Sequence, residues 1–284
     1  MSLPKIWLIT GASSGFGRYM TEIVLAKGDI AVPTARDLQN LTDLKSRYSA
    51  DRLLPLKLDV TKSEEITAAF DKVKEVFGRL DFVFNNAGCM AIAEVEGNPD
   101  DVARGMFEVN FWGAANISRA AVKFFREVNA PGVGGRLFSI SGGLGLFSFP
   151  TVGYYCATKH ALEGLTEAMA KELDPEWNIK IVIIEPGVFR TNITSTSLIK
   201  IPPHPAYAKP TNPSTFVRSL FEPSAESHGS DAAKACEKFY DLAQLPDPPL
   251  RFPVGKDVFG RIRTQLKSIA DDAEKYESWS EGLE

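Results

Sequence analysis

The segment KIWLITGASSGFG at residues 5–17 constrains this chain more than any other. An apolar run of strand character stops at Gly11, and Gly15 and Gly17 follow before a helical pattern resumes through Met20, Ile23 and Val24. Glycine permits a tight strand-to-helix turn and lets a ligand approach the backbone closely. The first turn of the helix then presents unpaired N–H groups and the positive end of its dipole, which suits a pyrophosphate. A bare glycine triplet means little, but here the strand before it and the helix after it are both present. The competing reading is a tight turn with no ligand.

The same alternation continues downstream. Short apolar runs at Lys5–Thr10, Ile30–Thr34, Leu53–Leu58, Leu80–Asn85, Gly135–Ile140 and Lys180–Glu185 read as strands covered on both faces. Between them lie amphipathic stretches. In Ser63–Phe77, Ile66, Phe70, Val73 and Phe77 form one stripe, Thr61 or Ser63 is placed to cap the start, and Glu64 and Glu65 sit in the first turn. Strands alternating with helices predict βαβ units and a parallel sheet. Residues 192–229 are rich in Pro, Ser and Thr and read as a long irregular lid. A helix is expected at Ser230–Leu242, capped by Ser230 or Asp231, then a short strand within PDPPLRFPVG and one or two helices over Phe259–Tyr276. The net charge of −4 provides no field for nucleic acid. Cys89, Cys156 and Cys236 are widely spaced and odd in number, so neither a disulfide framework nor a metal site is expected. No run approaches the ~20 apolar residues of a membrane span, and the amino terminus lacks a signal-peptide pattern. A cytoplasmic protein is expected.

The glycine spacing is TGxxxGxG and not the G-x-G-x-x-G of the ordinary dinucleotide fingerprint. Together with Leu58-Asp59-Val60, Asn85-Asn86-Ala87-Gly88, Asn110, Tyr155-Cys-Ala-Thr-Lys159 and Pro186-Gly187, in that order, it resembles the short-chain dehydrogenase/reductase family over most of the chain. The resemblance implies a doubly wound Rossmann-type parallel sheet of about seven strands with helices on both faces. It also implies one domain over residues 1–284, with a lid at about 192–229 and a carboxy-terminal extension at about 245–284. Gly11, Ser13, Ser14, Gly15, Phe16 and Gly17 would cradle the cofactor, Asp59 and Val60 would border adenine, and Asn86, Ala87 and Gly88 would flank the nucleotide. Pro186, Gly187, Val188 and Thr191 would lie at the carboxamide, while Phe189 is unassigned and Arg190 reads as a solvent or loop-pairing charge.

The end of the second strand bears on which nicotinamide nucleotide binds. NAD enzymes usually carry an acidic residue there for the ribose hydroxyls. The matching position is Ala35, and Arg36 follows it. Arginine offers a charge-assisted, bidentate partner for a 2′-phosphate, and Ser13 could donate to the same group. Asp37 competes unless it points away or pairs with a neighbouring Lys or Arg. The reading is NADP(H); the plain alternative for Arg36 is a solvated surface charge.

Tyr155 and Lys159 are four apart on one helix face. A tyrosine titrates near about 10, and a neighbouring ammonium favours the tyrosinate. Tyr155 would then act as general acid/base toward a carbonyl or alcohol, with Lys159 tuning it and, by resemblance, holding the nicotinamide ribose. Tyr154 lacks the four-residue offset and reads as a pocket aromatic. Asn110 matches the family asparagine behind a water-linked proton relay; otherwise it is an interior polar residue bonding backbone. The serine departs from the pattern. Counting back thirteen residues from Tyr155 lands on Gly142, so Ser141 is one residue early. The adjacent glycines could re-aim Ser141 toward the carbonyl; failing that, Ser139, Ser148, Tyr154 or a water must substitute.

Cys89–Met90, Gly143–Phe149, Tyr154, Phe189 and the lid are expected to wall the pocket, with Leu146, Phe147, Phe149, Met90, Ile193 and Leu198 making it apolar. The expected activity is NADP(H)-dependent interconversion of a carbonyl and an alcohol on a mostly apolar small molecule. The alternatives are a cofactor-binding protein with little turnover, which Gly142 favours, and an isomerase or cyclase on the same fold. A homodimer or homotetramer is common in the family.

Overall fold

The computed structural model describes residues 3–222 and 229–283. In chain order its elements are β1 (Ile6–Ile9), α1 (Gly15–Ala26), β2 (Ile30–Ala35), α2 (Thr42–Arg47), β3 (Leu56–Lys57), α3 (Ser63–Phe77), β4 (Phe82–Asn85), β5 (Ala91–Ile92) and α4 (Asp100–Phe107). A π-helical segment, Glu108–Gly113, joins α4 to α5 (Ala114–Glu127). There follow β6 (Gly135–Ile140), α6 (Gly153–Glu172), β7 (Ile179–Pro186), β8 (Ile199–Lys200), α7 (Pro213–Ser219), α8 (Ala232–Ala243), β9 (Arg251–Val254) and α9 (Lys256–Tyr276). Seven strands form one parallel sheet in the order β3-β2-β1-β4-β6-β7-β9.

The apolar strands are covered on both faces, as their composition predicts. Met20 and Val24 of α1 and Phe239 of α8 pack on one side with Trp7, Phe84 and Phe138. Ile66, Phe70 and Val73 of α3 and Ile117 and Phe124 of α5 pack on the other with Leu8, Val83 and Leu137. The chain reverses its winding at β1 and β4, and their carboxyl ends open the crevice where such sheets take ligands.

Three expectations need correction. The third strand is only two residues long, with Leu53 paired to Ala31 by an isolated bridge, because Pro55 cannot donate to the ladder. Neither Thr61 nor Ser63 caps α3: Lys62 holds the cap position without a side-chain bond, and the Thr61 hydroxyl donates to Asp59 Oδ1 at 2.8 Å. The lid is not structureless. β8 pairs with β5, and Pro213 starts α7 behind the Asn212 cap, so a proline that reads as a breaker is the first residue of a helix. The Glu94 carboxylate takes both Nε and Nη2 of Arg218 (2.7 and 2.6 Å) and the His204 amide, tying this segment to the body. The part of the lid at 223–228 lies outside the described residues. At the carboxy-terminal side, Asp231 caps α8 through the amides of Ala233 and Lys234, and 256–276 is a single helix.

Candidate active site

The glycine turn lies at the carboxyl end of β1. Gly11 has φ +66°, and a Cβ on Gly17 would sit 2.4 Å from the Gly11 carbonyl oxygen, so only glycine lets the turn fold back on its own helix. Ser14 holds the cap position of α1 without a side-chain bond, which leaves the first amides of the helix facing the crevice. Thr191 comes over this turn: a Cβ on Gly15 would lie 3.4 Å from the Thr191 Cβ. The Phe16 ring points the other way, into the core against Phe189 and Phe239. Phe189 is therefore a core aromatic and not the pocket wall expected of it.

Asn86 stitches β4 to the turn. Its Nδ2 donates to the Thr10 carbonyl at 2.9 Å, while the amides of Asn86 and Ala87 donate to the Thr10 hydroxyl. Asp59 accepts from the Thr61 amide and hydroxyl, and those bonds, with the nearby Arg36 charge, hold its carboxyl below the usual range despite burial. Val60 is buried beside it, against Gly113. Arg36 is exposed at the end of β2 and makes no ion pair or side-chain hydrogen bond among the described residues. Asp37 pairs with no cation among the described residues; its Oδ1 accepts from the Gln39 amide at 2.9 Å and caps the following turn. The helix amides and the close-packed glycine turn fit the pyrophosphate of a nicotinamide dinucleotide.

Tyr155 and Lys159 share one face of α6, with the Lys159 ammonium 5.7 Å from the Tyr155 ring centroid. Both are buried. Lys159 Nζ donates to the Ile140 carbonyl at 2.8 Å, anchoring the helix to the end of β6. Burial pushes Lys159 down to about 8, opposed by Cys89 and Glu163. Burial pushes the Tyr155 hydroxyl up, well above the ordinary phenol range. The expected lowering of Tyr155 by Lys159 is thus not seen: burial, with Cys156 and Cys89 adding to it, sets the direction. Met90, Val152, Leu144, Phe149, Ile193 and Leu198 share one hydrophobic cluster with Tyr155, which gathers Met90, Phe149, Ile193 and Leu198 of the expected apolar wall but not Leu146 or Phe147. Tyr154 belongs to the same cluster.

Asn110 is fully buried in the π-helical segment, a local form often found at functional sites. Its Oδ1 accepts from the Cys89 amide, and its Nδ2 donates to the Cys89 carbonyl (both 2.8 Å) and to Thr158 Oγ1 at 3.2 Å. Those bonds occupy the side-chain amide. Asn110 is a clamp that positions the loop after β4. Gly88 lies in that loop, beside Asn110 and Lys159.

Ser141 does not supply the carbonyl-polarising hydroxyl. Its Oγ donates to Glu163 Oε1 at 2.6 Å on the far side of the strand end, away from Tyr155. The cause is the two-residue period of a strand: one position early means the opposite face, and the glycines do not reverse it. Gly142 faces the site, since a Cβ there would stand 3.9 Å from the Tyr155 hydroxyl. What the sequence reading missed is the group behind Ser141. Arg251 of β9 pairs with Glu163, with Glu185 at 2.7 Å and with Glu167 at 2.8 Å. Gly145 is glycine because a Cβ would strike Glu163 Oε1 and Ser141 Oγ. The spacing Tyr155, Lys159, Glu163, Glu167 at successive fours was the available signal.

One more site expectation fails. The Val188 amide donates to Asp257 Oδ2 at 2.9 Å and its carbonyl accepts from the Ser230 amide, so both main-chain groups expected at the carboxamide are paired. Gly187 packs against the same Asp257, and Pro186 ends β7 beside them. Arg190 is a loop-pairing charge, donating to the Gly229 carbonyl and lying 3.9 Å from Asp231.

The family described as short chain dehydrogenase matches residues 5–200. The chain is 37% identical over 268 residues to an uncharacterized oxidoreductase of Schizosaccharomyces pombe, across 94% of this chain and 87% of that protein. It is 30% identical over 255 residues to a 3-ketodihydrosphingosine reductase of Bacteroides thetaiotaomicron, across 89% and 88%. The crystal structure of a short-chain dehydrogenase from Streptomyces avermitilis superposes with a TM-score of 0.88 at 34% identity, covering 100% of both chains. The sheet order, the glycine turn and these likenesses agree, and the chain belongs to the short-chain dehydrogenase/reductase family of oxidoreductases.

Proposed function

We propose that this protein is an NADP(H)-dependent carbonyl reductase acting on an apolar small molecule, working as one domain with the 192–229 segment as its lid. The observation that carries the reading is Tyr155, buried among apolar side chains on the same helix face as Lys159 and with its hydroxyl beside Gly142. The bound nucleotide supplies the hydride. Tyr155, kept as a neutral phenol by burial, holds a proton ready for the carbonyl oxygen as negative charge develops there. Lys159, still charged at neutral pH, anchors to Ile140 and offers its ammonium to the ribose. The turn residues Gly11, Ser14, Gly15, Phe16 and Gly17 would hold the pyrophosphate through backbone amides, with Ser13 donating to the 2′-phosphate and Thr191 above the turn. Asp59, Val60, Asn86, Ala87 and Gly88 border the nucleotide. The similar 3-ketodihydrosphingosine reductase is named for a ketone on a long apolar chain, which agrees with the apolar wall.

Arg36 is assigned to the 2′-phosphate. Arg36→Ala is expected to raise the KM for NADPH by about tenfold to a hundredfold, from the loss of a charge-assisted contact, and to leave NADH nearly unaffected. Initial rates with both nucleotides and a panel of apolar ketones and aldehydes check this; an equal loss for both would remove the assignment.

A second reading, nucleotide binding with little or no redox turnover, is favoured by one observation: Ser141 is committed to Glu163 and Gly142 carries no hydroxyl. Gly142→Ser separates the two. The nearest neighbours of the new Cβ lie at 3.8–3.9 Å, so there is room beside Tyr155, but φ +158° at Gly142 has to relax into the extended range for a serine to be accepted. If the protein is a reductase whose carbonyl is polarised by Tyr155 alone, the added donor should raise kcat by about tenfold or more. Wild type and variant that both bind NADPH yet turn over nothing in the panel would favour the second reading.

A further inference from the structure

The last helix is almost entirely uncovered. Of the residues of α9 only Val258 is buried, against Gly143 at the edge of the candidate site. Arg261 lies 4.3 Å from the Phe149 ring centroid, and beyond it the helix leaves the body. A solvated helix should be polar all round, or carry its apolar side chains on the face that meets the core. This one does neither. Phe259, Ile262, Leu266, Ile269, Ala273 and Tyr276 recur at alternating spacings of three and four, a single seam in a helix about 32 Å long. Leu266 is 61% exposed and Ile269 is 56% exposed.

The charges along the seam say what covers it. The first half of α9 carries Lys256, Arg261, Arg263 and Lys267 against one carboxylate, Asp257, which is bonded to the Val188 amide. The second half and the turn after it carry Asp271, Asp272, Glu274 and Glu277 against one ammonium, Lys275. Such a helix is complementary to itself when reversed. We propose that α9 is an interface with a second copy of this chain, the two helices packing antiparallel about a two-fold axis at the middle of the seam. Leu266 then meets the partner's Ile269, Ile262 meets the partner's Ala273, and Phe259 meets the partner's Tyr276. Each basic half lies along an acidic half. Parallel pairing would set basic on basic and acidic on acidic. A lipid surface is disfavoured, because helices that lie in the membrane interface carry a polar face rich in Lys and Arg, and half of this one is acidic. The Lys267–Asp271 pair at 2.7 Å within the helix is exposed and worth little, so both charges stay available across the seam. The interface is isologous, as closed dimers require. It does not depend on the redox reading.

The test is sedimentation equilibrium of the full-length chain at micromolar concentration. The wild type is expected at a multiple of 31.1 kDa. Leu266→Glu/Ile269→Glu changes only exposed positions, so melting and circular dichroism of the body should be retained while the mass falls by half. The orientation is read separately. Arg263→Glu/Lys267→Glu should weaken association at least tenfold, and adding Asp272→Lys/Glu277→Lys should restore it. A monomeric wild type, or a mass unchanged by Leu266→Glu/Ile269→Glu, would overturn the proposal. Tighter association in Arg263→Glu/Lys267→Glu would overturn the antiparallel arrangement. Wild type that floats with phosphatidylserine vesicles as a monomer, and a double-Glu variant that does not, would assign the seam to lipid instead.

Discussion

Tyr155→Phe is expected to reduce NADPH-dependent carbonyl reduction by about 10³-fold, within the range for removal of a positioned general acid. The fall should be in kcat, with NADPH affinity nearly unchanged, because the ring stays in its apolar cluster and only the hydroxyl is lost. Two features make the loss large. Gly142 provides no neighbouring hydroxyl, and the Ser141 hydroxyl is bonded to Glu163. The wild-type pH profile follows from Lys159, which burial brings down to about 8. Its folded-state value lies below the ordinary lysine value, so the ammonium is present at neutral pH and is lost as pH rises through about 8. Reduction should therefore fall on the alkaline side near that pH. Stopped-flow measurement of hydride transfer in wild type and Tyr155→Phe checks both statements. Wild-type rates in the phenylalanine variant would remove Tyr155 from the chemistry.

The largest effect on stability is expected from Arg251→Ala. Arg251 is the cation for Glu163 and Glu185, both buried, and for Glu167 at the rim. Removing one side of a buried ion pair costs roughly 3–5 kcal/mol, because the desolvated partner is left without compensation. For a chain of this size that lowers Tm by about 10 °C. The pH dependence has a definite sign. Glu185 is pushed up to about 7, first by burial and then by the charge of Glu163. Its folded value exceeds its unfolded one, so between about 4.5 and 7 the folded state holds a proton that the unfolded state releases. Stability contributed here is greatest at the acid end and falls as pH rises through about 7. Without Arg251 both carboxylates are harder to ionise, and the deficit of the variant should be larger at about pH 8 than at about pH 5. Differential scanning calorimetry at the two pH values decides it; equal deficits would mean that the cluster is not a buried charge network. Since Ser141 donates to Glu163, the variant should also loosen the loop at Gly142–Gly145 beside Tyr155.

The parallel sheet, its helices and the glycine turn were legible in the sequence because they rest on local rules. Apolar runs flanked by amphipathic stretches permit one kind of layer, and Ser63–Phe77 has the bounds that its stripe predicts. Tyr155 and Lys159 were legible because a four-residue offset on a helix is a geometric statement in itself. The lid was misread because Pro213 both ends a chain of ordinary backbone and opens a helix, and only the Asn212 cap and the packing of the segment distinguish the two.

What the tertiary structure alone decided is where shared groups go. Ser141 had two possible directions, and Glu163, Glu185 and Arg251, distant in sequence, took its hydroxyl to the far face. The Val188 amide had an expected ligand, and Asp257 of α9, 69 residues away, occupies it. The Asn110 side-chain amide had no partner that the sequence could name, and the main chain of Cys89 takes it. Tyr155 was expected to be lowered by its lysine, and burial raised it. The sequence by itself determined periodicity, turn chemistry and which residues lie on one helix face, since these are set by neighbours along the chain. Hydrogen-bond partners and desolvation are set by neighbours in space, and those become known only when distant segments are brought together.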